Sequence, residues 1–441
     1  MKFLFLSLAL LGPASAVTRE ECKTDYLPPL LACIDSFAGK GTPDCSLLPI
    51  PDFAMPQNEA NEMGYWVQQL RDTPTSHVFA VSENAYNALI LVDVPPTDDA
   101  VETSRGGRRN LKGGRKLEEM EEPELMDAPV ESSGDVDVDV PDGITVAFVD
   151  FPPTFATEGG SFLMSAMNDI LEMLEATLDD VAKVEMIYSH GHNDHIGLAN
   201  ATFGHLVELG FDPASIPIIA PEGVLEHFEH AIETGFFTYS APLPTKTFTG
   251  FMEYTVGQST PLTMTTFDGH QFGDKDVILF MEALDTENPA IMMVVDVVFP
   301  KWVPFFSFAL STDLLQYIAA HDTLLEFPLG DDGYFVGGHL NQIGDRNDIL
   351  LNQNLTQAIV EAGALALQTV DAGAIVGGTG AFTPGTPNYG NSWAGFGAYF
   401  DELERVCARA VLEEYGCDFG GLDVTLYSSC RMAQSFWRLE V

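Results

Sequence analysis

The sequence predicts an α/β protein, because strand-like and helix-like segments alternate along most of its 441 residues. Residues 161–178 carry apolar side chains at roughly helical spacing, and helical patterns return at residues 355–369 and 396–413. The predicted strands are short apolar runs, at 77–81, 87–92, 145–150, 184–188, 216–220, 248–253, 264–267, 277–280 and 291–295. A chain of this length can form one large core or two domains.

Composition restricts the partners that this chain can have. Hydrophobic residues make up 46% of it, enough for a globular core, while 65 acidic and 20 basic residues give a formal charge of −45. So few Lys and Arg side chains can neutralise few phosphates, and a nucleic-acid partner is therefore not expected. Anionic membrane surfaces are disfavoured for the same reason, and we expect no stable membrane association.

The N-terminus, residues 1–16, is interpreted as a secretory signal peptide. Lys2 precedes an apolar run, and a pattern of small residues ends at Ala16, where cleavage is expected. The apolar run is shorter than the roughly 20 residues that span a bilayer. We therefore expect an exported protein that is secreted or resides in an endomembrane or periplasmic lumen. Sequons at Asn200 and Asn354 could carry glycans.

Six cysteines lie near the ends of the chain, three at each end. An even number in an exported protein suggests disulfide bonds, although the sequence does not decide among the possible pairings. Because each end holds an odd number, at least one bond joins the two ends if all six are paired; buried free thiols are the alternative. Residues 17–62 are interpreted as a Cys-rich, Pro-rich N-terminal extension, and residues 346–441 as a mainly helical C-terminal extension.

Residues 97–142 have the composition of a disordered acidic insertion between two predicted strands. They hold blocks of like charge and glycines, with few large apolar side chains. We place this insertion at a hairpin tip, where it does least harm because the entropy of loop closure grows only slowly with length.

Three histidines and a carboxylate fall within six residues, at His190, His192, Asp194 and His195. A predicted strand precedes them and a helix is expected to follow, so the loop between should leave the end of a sheet. Histidine is the commonest metal ligand, and a carboxylate among histidines suits zinc or another divalent ion. The other interpretation is a solvated, His-rich loop. The density of donors favours a metal site.

The pattern His190-x-His192-x-Asp194-His195, followed by Gly197, resembles the signature of the metallo-β-lactamase superfamily. The resemblance extends over residues 63–345, and the run at 297–305 is similar to an exported branch of the superfamily. It implies a four-layer αββα sandwich, in which helices cover two facing sheets and a metal site lies at the sheet edges. In this chain the sandwich would carry Cys-containing N- and C-terminal extensions.

The resemblance also implies three ligands further along the chain. His270 precedes a predicted strand, Asp296 ends the apolar run 291–295, and His339 follows a pair of glycines, in the order of the family's pattern. His227 and His230 are alternatives to His270. Since they sit three residues apart among glutamates, they are better interpreted as a solvated helix face.

By the same resemblance, the seven donors divide between two ions. One would be held by His190, His192 and His270, the other by Asp194, His195 and His339, with Asp296 bridging them. A donor set of nitrogen and oxygen without thiolate suits two Zn²⁺ and does not exclude Mn²⁺ or Fe²⁺.

The function implied is hydrolysis of a small-molecule ester, lactone or amide by a metal-bridging hydroxide. Asp194 would be catalytic, orienting the nucleophile and passing a proton to the leaving group. A sulfatase or phosphodiesterase of the same superfamily is the alternative, as is a non-catalytic metal-binding protein on this scaffold. The sequence does not fix the oligomeric state.

Overall fold

A computed structural model describes residues 16–38, 45–54, 65–83, 86–96, 143–153, 162–235, 241–271, 273, 275–340 and 342–439. The predicted insertion 97–142 lies outside the described residues, as does the predicted signal peptide apart from its last residue. Within the described ranges, no single helix is long and apolar enough to cross a membrane, although the bent pair Arg346–Thr369 and Ala372–Gly378 passes the same test of length and composition.

In the described part of the chain, the first sheet has seven strands in sequence order. They are β1 Tyr65–Asp72, β2 Ser76–Glu83, β3 Tyr86–Asp93, β4 Ile144–Val149, β5 Val181–Ile187, β6 Ile218–Pro221 and β7 Lys246–Phe248. Neighbours from β1 to β4 are antiparallel, and those from β4 to β7 are parallel. β1 was not predicted, because polar side chains in its middle break the apolar pattern.

The second sheet has the strand order β13-β12-β11-β10-β9-β8. Its strands are β8 Phe251–Val256, β9 Thr260–Phe267, β10 Asp276–Met281, β11 Ile291–Met293, β12 Tyr334–Val336 and β13 Ile343–Gly344. The pair β11–β12 is parallel and the others are antiparallel. The single strand predicted at 248–253 is wrong. Gly250, with φ of 67°, breaks that run and divides it between the two sheets.

Helices lie on the outer faces of both sheets. They are α1 Arg19–Glu21, α2 Leu27–Ser36, α3 Phe162–Met173, α4 Asn193–Ile196, α5 Ala199–Glu208, α6 Glu222–Thr234, α7 Leu314–Glu326, α8 Arg346–Thr369, α9 Ala372–Gly378, α10 Ser392–Tyr415 and α11 Leu422–Leu439. The predicted helix 161–178 is confirmed as α3, which ends earlier. α7, α9 and α11 were not predicted, and the Pro-rich start of the chain is helical instead of irregular.

Three separate groups of buried side chains show the layers. One lies between the sheets, with Leu89 and Val149 facing Met264 and Ile291. A second joins the outer face of the first sheet to α3, α5 and α6. A third joins the outer face of the second sheet to α7, α8, α10 and α11, and to the N-terminal helix. The predicted four-layer αββα sandwich is therefore confirmed.

Disulfide bonds join the two ends of the chain to each other and close a loop within each end. Cys22 is bonded to Cys417, while the other bonds, Cys33–Cys45 and Cys407–Cys430, each lie within one end. The prediction that one bond joins the ends is confirmed, and the alternative of free thiols is wrong. Trp302 Nε1 also donates a hydrogen bond to the Ala54 carbonyl, which ties the N-terminal segment to the loop after β11.

Candidate metal centre

The carboxyl ends of several strands meet at one edge of the sandwich and bring the predicted donors together. β5 leads through Tyr188 to the loop that begins at Ser189, and β11 leads through Val294 and Val295 to Asp296. β12 leads to His339. Since β10 runs antiparallel to β11, His270 just before β10 reaches the same edge. Parallel strands end at one edge of their sheet, so this convergence follows from the topology.

Local backbone structure directs the donors of the loop after β5. His192 immediately precedes the one-turn helix α4, and Asp194 and His195 project from that turn. A Cβ on Gly197 would lie 2.3 Å from the Asn193 carbonyl oxygen, which explains the glycine at the end of this turn. Asp296 has a positive φ of 62°, a conformation that Asp tolerates better than most residues.

The structure brings all seven predicted donors into two neighbouring groups. The first contains His190, His192, His270 and Asp296, and the second contains Asp194, His195 and His339; within each group the potential ligand atoms lie within 4.8 Å of one another. Zinc–ligand bonds are about 2.0–2.2 Å long, so donor atoms on opposite sides of one ion are separated by about twice that length. This separation is close to the spacing within each group. The cluster is thus suited to binding divalent metal ions.

Asp296 lies between the two groups. Its Oδ2 is 3.4 Å from His190 Nε2, 3.5 Å from His192 Nδ1 and 3.6 Å from His270 Nε2. Its Oδ1 is 3.3 Å from His195 Nε2 and 2.8 Å from His339 Nε2. One carboxylate oxygen therefore faces each histidine group, which is the placement that a bridging ligand requires.

Two buried carboxylates that the sequence analysis missed support the donors. Asp150 accepts hydrogen bonds from Ser189 N at 2.8 Å and Ser189 Oγ at 2.7 Å, and its Oδ2 is 3.7 Å from His195 Nδ1. Asp276 Oδ1 is 3.0 Å from His270 Nδ1. Such partners fix the orientation of a metal-binding imidazole. The signal for Asp150 was its position at the end of a predicted strand, the same position that Asp296 occupies.

Other side chains pack against the last histidine. The rings of Tyr86 and Phe299 lie 5.0 and 5.6 Å from that of His339, and Phe299 is nearly parallel to it. Asn87 Nδ2 donates to the carbonyl of His339 at 2.9 Å. A Cβ on Gly338 would lie 2.8 Å from His195 Cε1, so only glycine lets this segment pass so close.

Electrostatics at the cluster follow from burial and from the carboxylates. Burial lowers the pKa of His190 to about 3. Burial also acts to lower the pKa of His195, but Asp296 and Asp194 outweigh it and raise that pKa to about 10. Burial acts to raise the pKa of Asp296, but the charges on His195 and His339 hold it well below its ordinary value. The His190 imidazole is thus neutral near pH 7, and the carboxylates of Asp194 and Asp296 make the cluster favourable for positive charge.

Buried donor atoms without hydrogen bonds indicate that the donor set fits a bound cation. Among the described residues, the buried atoms His190 Nε2 and Asp296 Oδ1 make no hydrogen bond of acceptable geometry. A buried polar atom without a hydrogen bond is destabilising unless something else satisfies it. Both atoms point into the cluster, where a cation would be their partner.

A small cavity of about 180 Å³ opens beside the cluster. Its polar lining consists of His192, Asn193, Asp194, Asp296 and His339, and its apolar lining of Phe305, Ala309 and Leu310. The last two belong to a single left-handed helical turn, Phe306–Leu310, in which four successive residues have φ between 52° and 60°. Each such residue costs roughly 1–2 kcal/mol relative to a right-handed turn, so the surroundings must hold it.

The other five histidines of the chain lie outside the cluster. His230 is exposed, whereas His227 on the same helix packs beside Gly191, so the prediction of a wholly solvated face is wrong for His227. His77 pairs with Asp72 and His205 with Glu208, each away from the centre. His321 is buried in α7, where its Nδ1 lies 2.9 Å from the Tyr317 carbonyl oxygen.

No protein-family model matches this sequence, and neither does any curated protein. Among solved structures, a β-lactamase domain protein from Burkholderia ambifaria is 13% identical, with a TM-score of 0.40 over 79% of this chain and 89% of that one. A metallo-β-lactamase family protein from Thermus thermophilus is 16% identical, with a TM-score of 0.34 over 77% and 93%. A sec-alkylsulfatase from Pseudomonas sp. is 12% identical, with a TM-score of 0.44 over 97% and 63%.

Proposed function

We propose that this chain, an αββα sandwich with a His/Asp donor cluster at one edge, is a metal-dependent hydrolase of small esters, lactones or amides. The observation that carries the proposal is the position of Asp296, with one carboxylate oxygen facing each of two donor groups. Two divalent ions, Zn²⁺ foremost, would be held by His190, His192 and His270 and by Asp194, His195 and His339, with Asp296 between. Nitrogen and oxygen donors of this kind also accept Mn²⁺ or Fe²⁺.

When bound, the two ions would supply Lewis acidity and lower the pKa of a bound water to about 7. The seven side chains would contribute a fixed, largely buried frame. His190, His195 and His270 are buried; Ser189 Oγ lies 3.0 Å from His190 Nδ1, and the carboxylates of Asp150 and Asp276 lie beside the Nδ1 atoms of His195 and His270. A frame held in this way needs little rearrangement during the reaction.

Asp194 is the residue placed to move a proton. Its side chain is 42% exposed and lines the cavity, with Oδ2 3.7 Å from His195 Nε2 and 3.8 Å from His339 Nε2. Burial acts to raise its pKa, but the charge of His195 outweighs that effect and lowers it, so the group is ionised at neutral pH. It can accept a proton from attacking water and return it to the departing oxygen or nitrogen, so that the acid and the alcohol or amine leave.

We also infer that the protein is exported. Three disulfide bonds support an oxidising compartment, in which such bonds persist. Residues 1–16 carry the signal-peptide pattern that would direct the chain there.

The proposed function predicts that hydrolysis depends on the metal and on this cluster. Purified protein would be stripped with a chelator, reloaded with Zn²⁺ and assayed on chromogenic esters, lactones, β-lactams and sulfates. His190→Ala and Asp296→Ala should reduce kcat/KM by roughly 100-fold or more, because each removes a ligand from a frame that acts as a unit. His205→Ala, which changes an exposed histidine outside the cluster, is the matched control. Undiminished activity in the stripped protein, or in His190→Ala, would contradict the proposal.

A further inference from the structure

We propose that Phe305, Ala309 and Leu310 form an apolar wall that binds the acyl group of the substrate and restricts the site to small, neutral substrates. This inference rests on the proposed hydrolase function and specifies its substrate class. These three residues, which we call the acyl wall, provide the apolar lining of the cavity beside the metal centre. The polar part of the same lining includes His192, Asp194, Asp296 and His339.

The acyl wall leaves apolar surface open toward the centre. Phe305 is 41% exposed and Leu310 is 59% exposed, although both line a cavity that also contains ligand side chains. Apolar surface of this kind gains free energy when a ligand covers it. A carbonyl group held near Asp296 and His339 would therefore place its alkyl substituent against Leu310 and Phe305.

The left-handed backbone of the turn Phe306–Leu310 holds the acyl wall in one conformation. Ala309 N donates to the Phe305 carbonyl at 3.0 Å and Ser311 N to the Ser307 carbonyl at 3.3 Å, which closes a left-handed helical turn without any glycine. Non-glycine residues keep such a conformation only where the surrounding structure fixes it. The position of Leu310 is thus set by neighbours as well as by its own segment.

Those neighbours connect the wall to the metal centre and to the C-terminal helix. Ser307 N donates to Ser428 Oγ on α11 at 2.9 Å, and the buried Phe308 ring lies 5.7 Å from that of Tyr317. Just beyond the turn, Thr312 N donates to the His270 carbonyl at 2.9 Å. The wall is therefore held at a fixed distance from a proposed ligand, and Ser428 is a positioning residue for it.

Charge and size restrict the substrate further. None of the eight described residues that line the cavity is Lys or Arg. An anionic group on the acyl side would lie against Leu310 and Phe305 with no cationic partner among these lining residues, and removing such a charge from water is unfavourable. The cavity volume of about 180 Å³ corresponds to roughly six water molecules, so short acyl groups fit it.

The first test uses the unchanged protein loaded with Zn²⁺. The p-nitrophenyl esters of acetic, propionic and butyric acid are compared with mono-p-nitrophenyl succinate, which places a carboxylate at the end of the acyl chain. The proposal predicts that kcat/KM rises about fourfold with each added methylene, because each is buried against the wall. It predicts a value for the succinate at least roughly tenfold below that for the butyrate.

The second test changes the wall. Leu310→Ala should bring the butyrate-to-acetate ratio of kcat/KM close to one, since the lost contacts are with the added methylenes. Leu315→Ala is the matched control, because Leu315 is 58% exposed on α7 and does not line the cavity. Ser428→Ala should lower the same ratio with bound zinc unchanged, which a general loss of structure would not do.

The outcomes separate this inference from the proposed function. If the zinc-loaded protein hydrolyses none of these esters and no other compound of the chromogenic panel, the proposed function fails and the acyl wall fails with it. If it hydrolyses them with no dependence on chain length, or cleaves the succinate as fast as the butyrate, the acyl wall is wrong and the hydrolase stands. An unchanged butyrate-to-acetate ratio of kcat/KM in folded Leu310→Ala would also contradict the acyl wall. If that variant does not fold, the ester series measured with the unmodified protein decides.

Discussion

Asp296 shows how one residue can organise the centre. Its backbone has φ of 62°, at the point where the chain leaves β11, and its two carboxylate oxygens face different histidine groups. Side chains that can accept local hydrogen bonds tolerate this left-handed region, so no glycine is needed at the position itself. Val295 before it is buried between the sheets, where a glycine would leave a space.

Asp150 carries a prediction about metal affinity. Because it accepts two hydrogen bonds from Ser189 and lies 3.7 Å from His195 Nδ1, Asp150→Asn should weaken Zn²⁺ binding about 10–100-fold without removing a ligand. The affinity would be measured by competition with a chromogenic chelator. Asp72→Asn, which changes a carboxylate paired with His77 away from the centre, is the control. Equal affinities in Asp150→Asn and the unchanged protein would show that Asp150 does not orient the ligands.

His321 carries a prediction about pH. Burial lowers its pKa from 6.5 to about 4, so the unfolded chain binds a proton in this range more readily than the folded protein. Its contribution to stability is therefore complete above pH 6.5 and is lost as the pH falls toward 4, by about 3 kcal/mol in total. His321→Gln should flatten the fall in unfolding free energy between pH 6.5 and 4, measured by urea denaturation. The exposed His205→Gln should leave that fall unchanged, and an equally steep fall in His321→Gln would refute the assignment.

At the scale of single elements, strands were predictable from the sequence where the pattern of apolar residues matches the burial of the strand. β3 and β4 are buried along their whole length, and their apolar runs were recognised. β1 alternates less clearly, because Gln68, Gln69 and Arg71 interrupt it; it becomes a strand through pairing with β2. Such pairing depends on residues distant in the sequence, and no local pattern contains it.

The N-terminal helix was missed for a different reason. Leu27–Ser36 contains two prolines, which suggested an irregular segment, but both lie in its first turn. Proline is compatible with that position, since the amide groups there have no partner within the helix. The bond from Cys22, just before it, to Cys417 then holds the helix against the C-terminal end of the chain.

The left-handed turn Phe306–Leu310 had no sequence signal at all. It contains no glycine, and right-handed conformations are intrinsically preferred for each of its residues. Contacts made by Ser307 and Phe308 with distant segments select the left-handed form. The donors of the metal centre were predictable because they cluster in the sequence or follow strands, whereas the wall beside them depends on tertiary contacts.

At the scale of the whole molecule, the ends of the chain complete one face of the sandwich. The core on the outer face of the second sheet combines Ile34 near the N-terminus with Phe335 of the sheet and Leu426 near the C-terminus. These segments approach one another only in the folded protein. The bond between Cys22 and Cys417, 395 residues apart, therefore constrains nearly the whole unfolded chain.

The long loop that this bond closes predicts that the disulfide bonds differ in how much each stabilises the folded protein. A native disulfide bond typically stabilises a protein by about 2–5 kcal/mol, and in the chain-entropy description the stabilisation increases with the length of the loop that the bond closes. Replacing both Cys22 and Cys417 by Ala should reduce the unfolding free energy more than the same change at Cys33 and Cys45, which are 12 residues apart. Denaturant unfolding of the two double variants provides the comparison. A larger loss for the short-range pair would contradict the clamping role of the long-range bond.

The proposed centre consists of two metal ions that share Asp296. Metal-stripped protein would be titrated with Zn²⁺ by calorimetry, and the bound metal would be confirmed by elemental analysis after gel filtration. We predict saturation at two ions per chain for the unchanged protein, and at least one site lost or greatly weakened in Asp296→Ala, because both donor groups lose an oxygen. Saturation at one ion or none, or two ions bound with unchanged affinity by Asp296→Ala, would contradict the proposed centre.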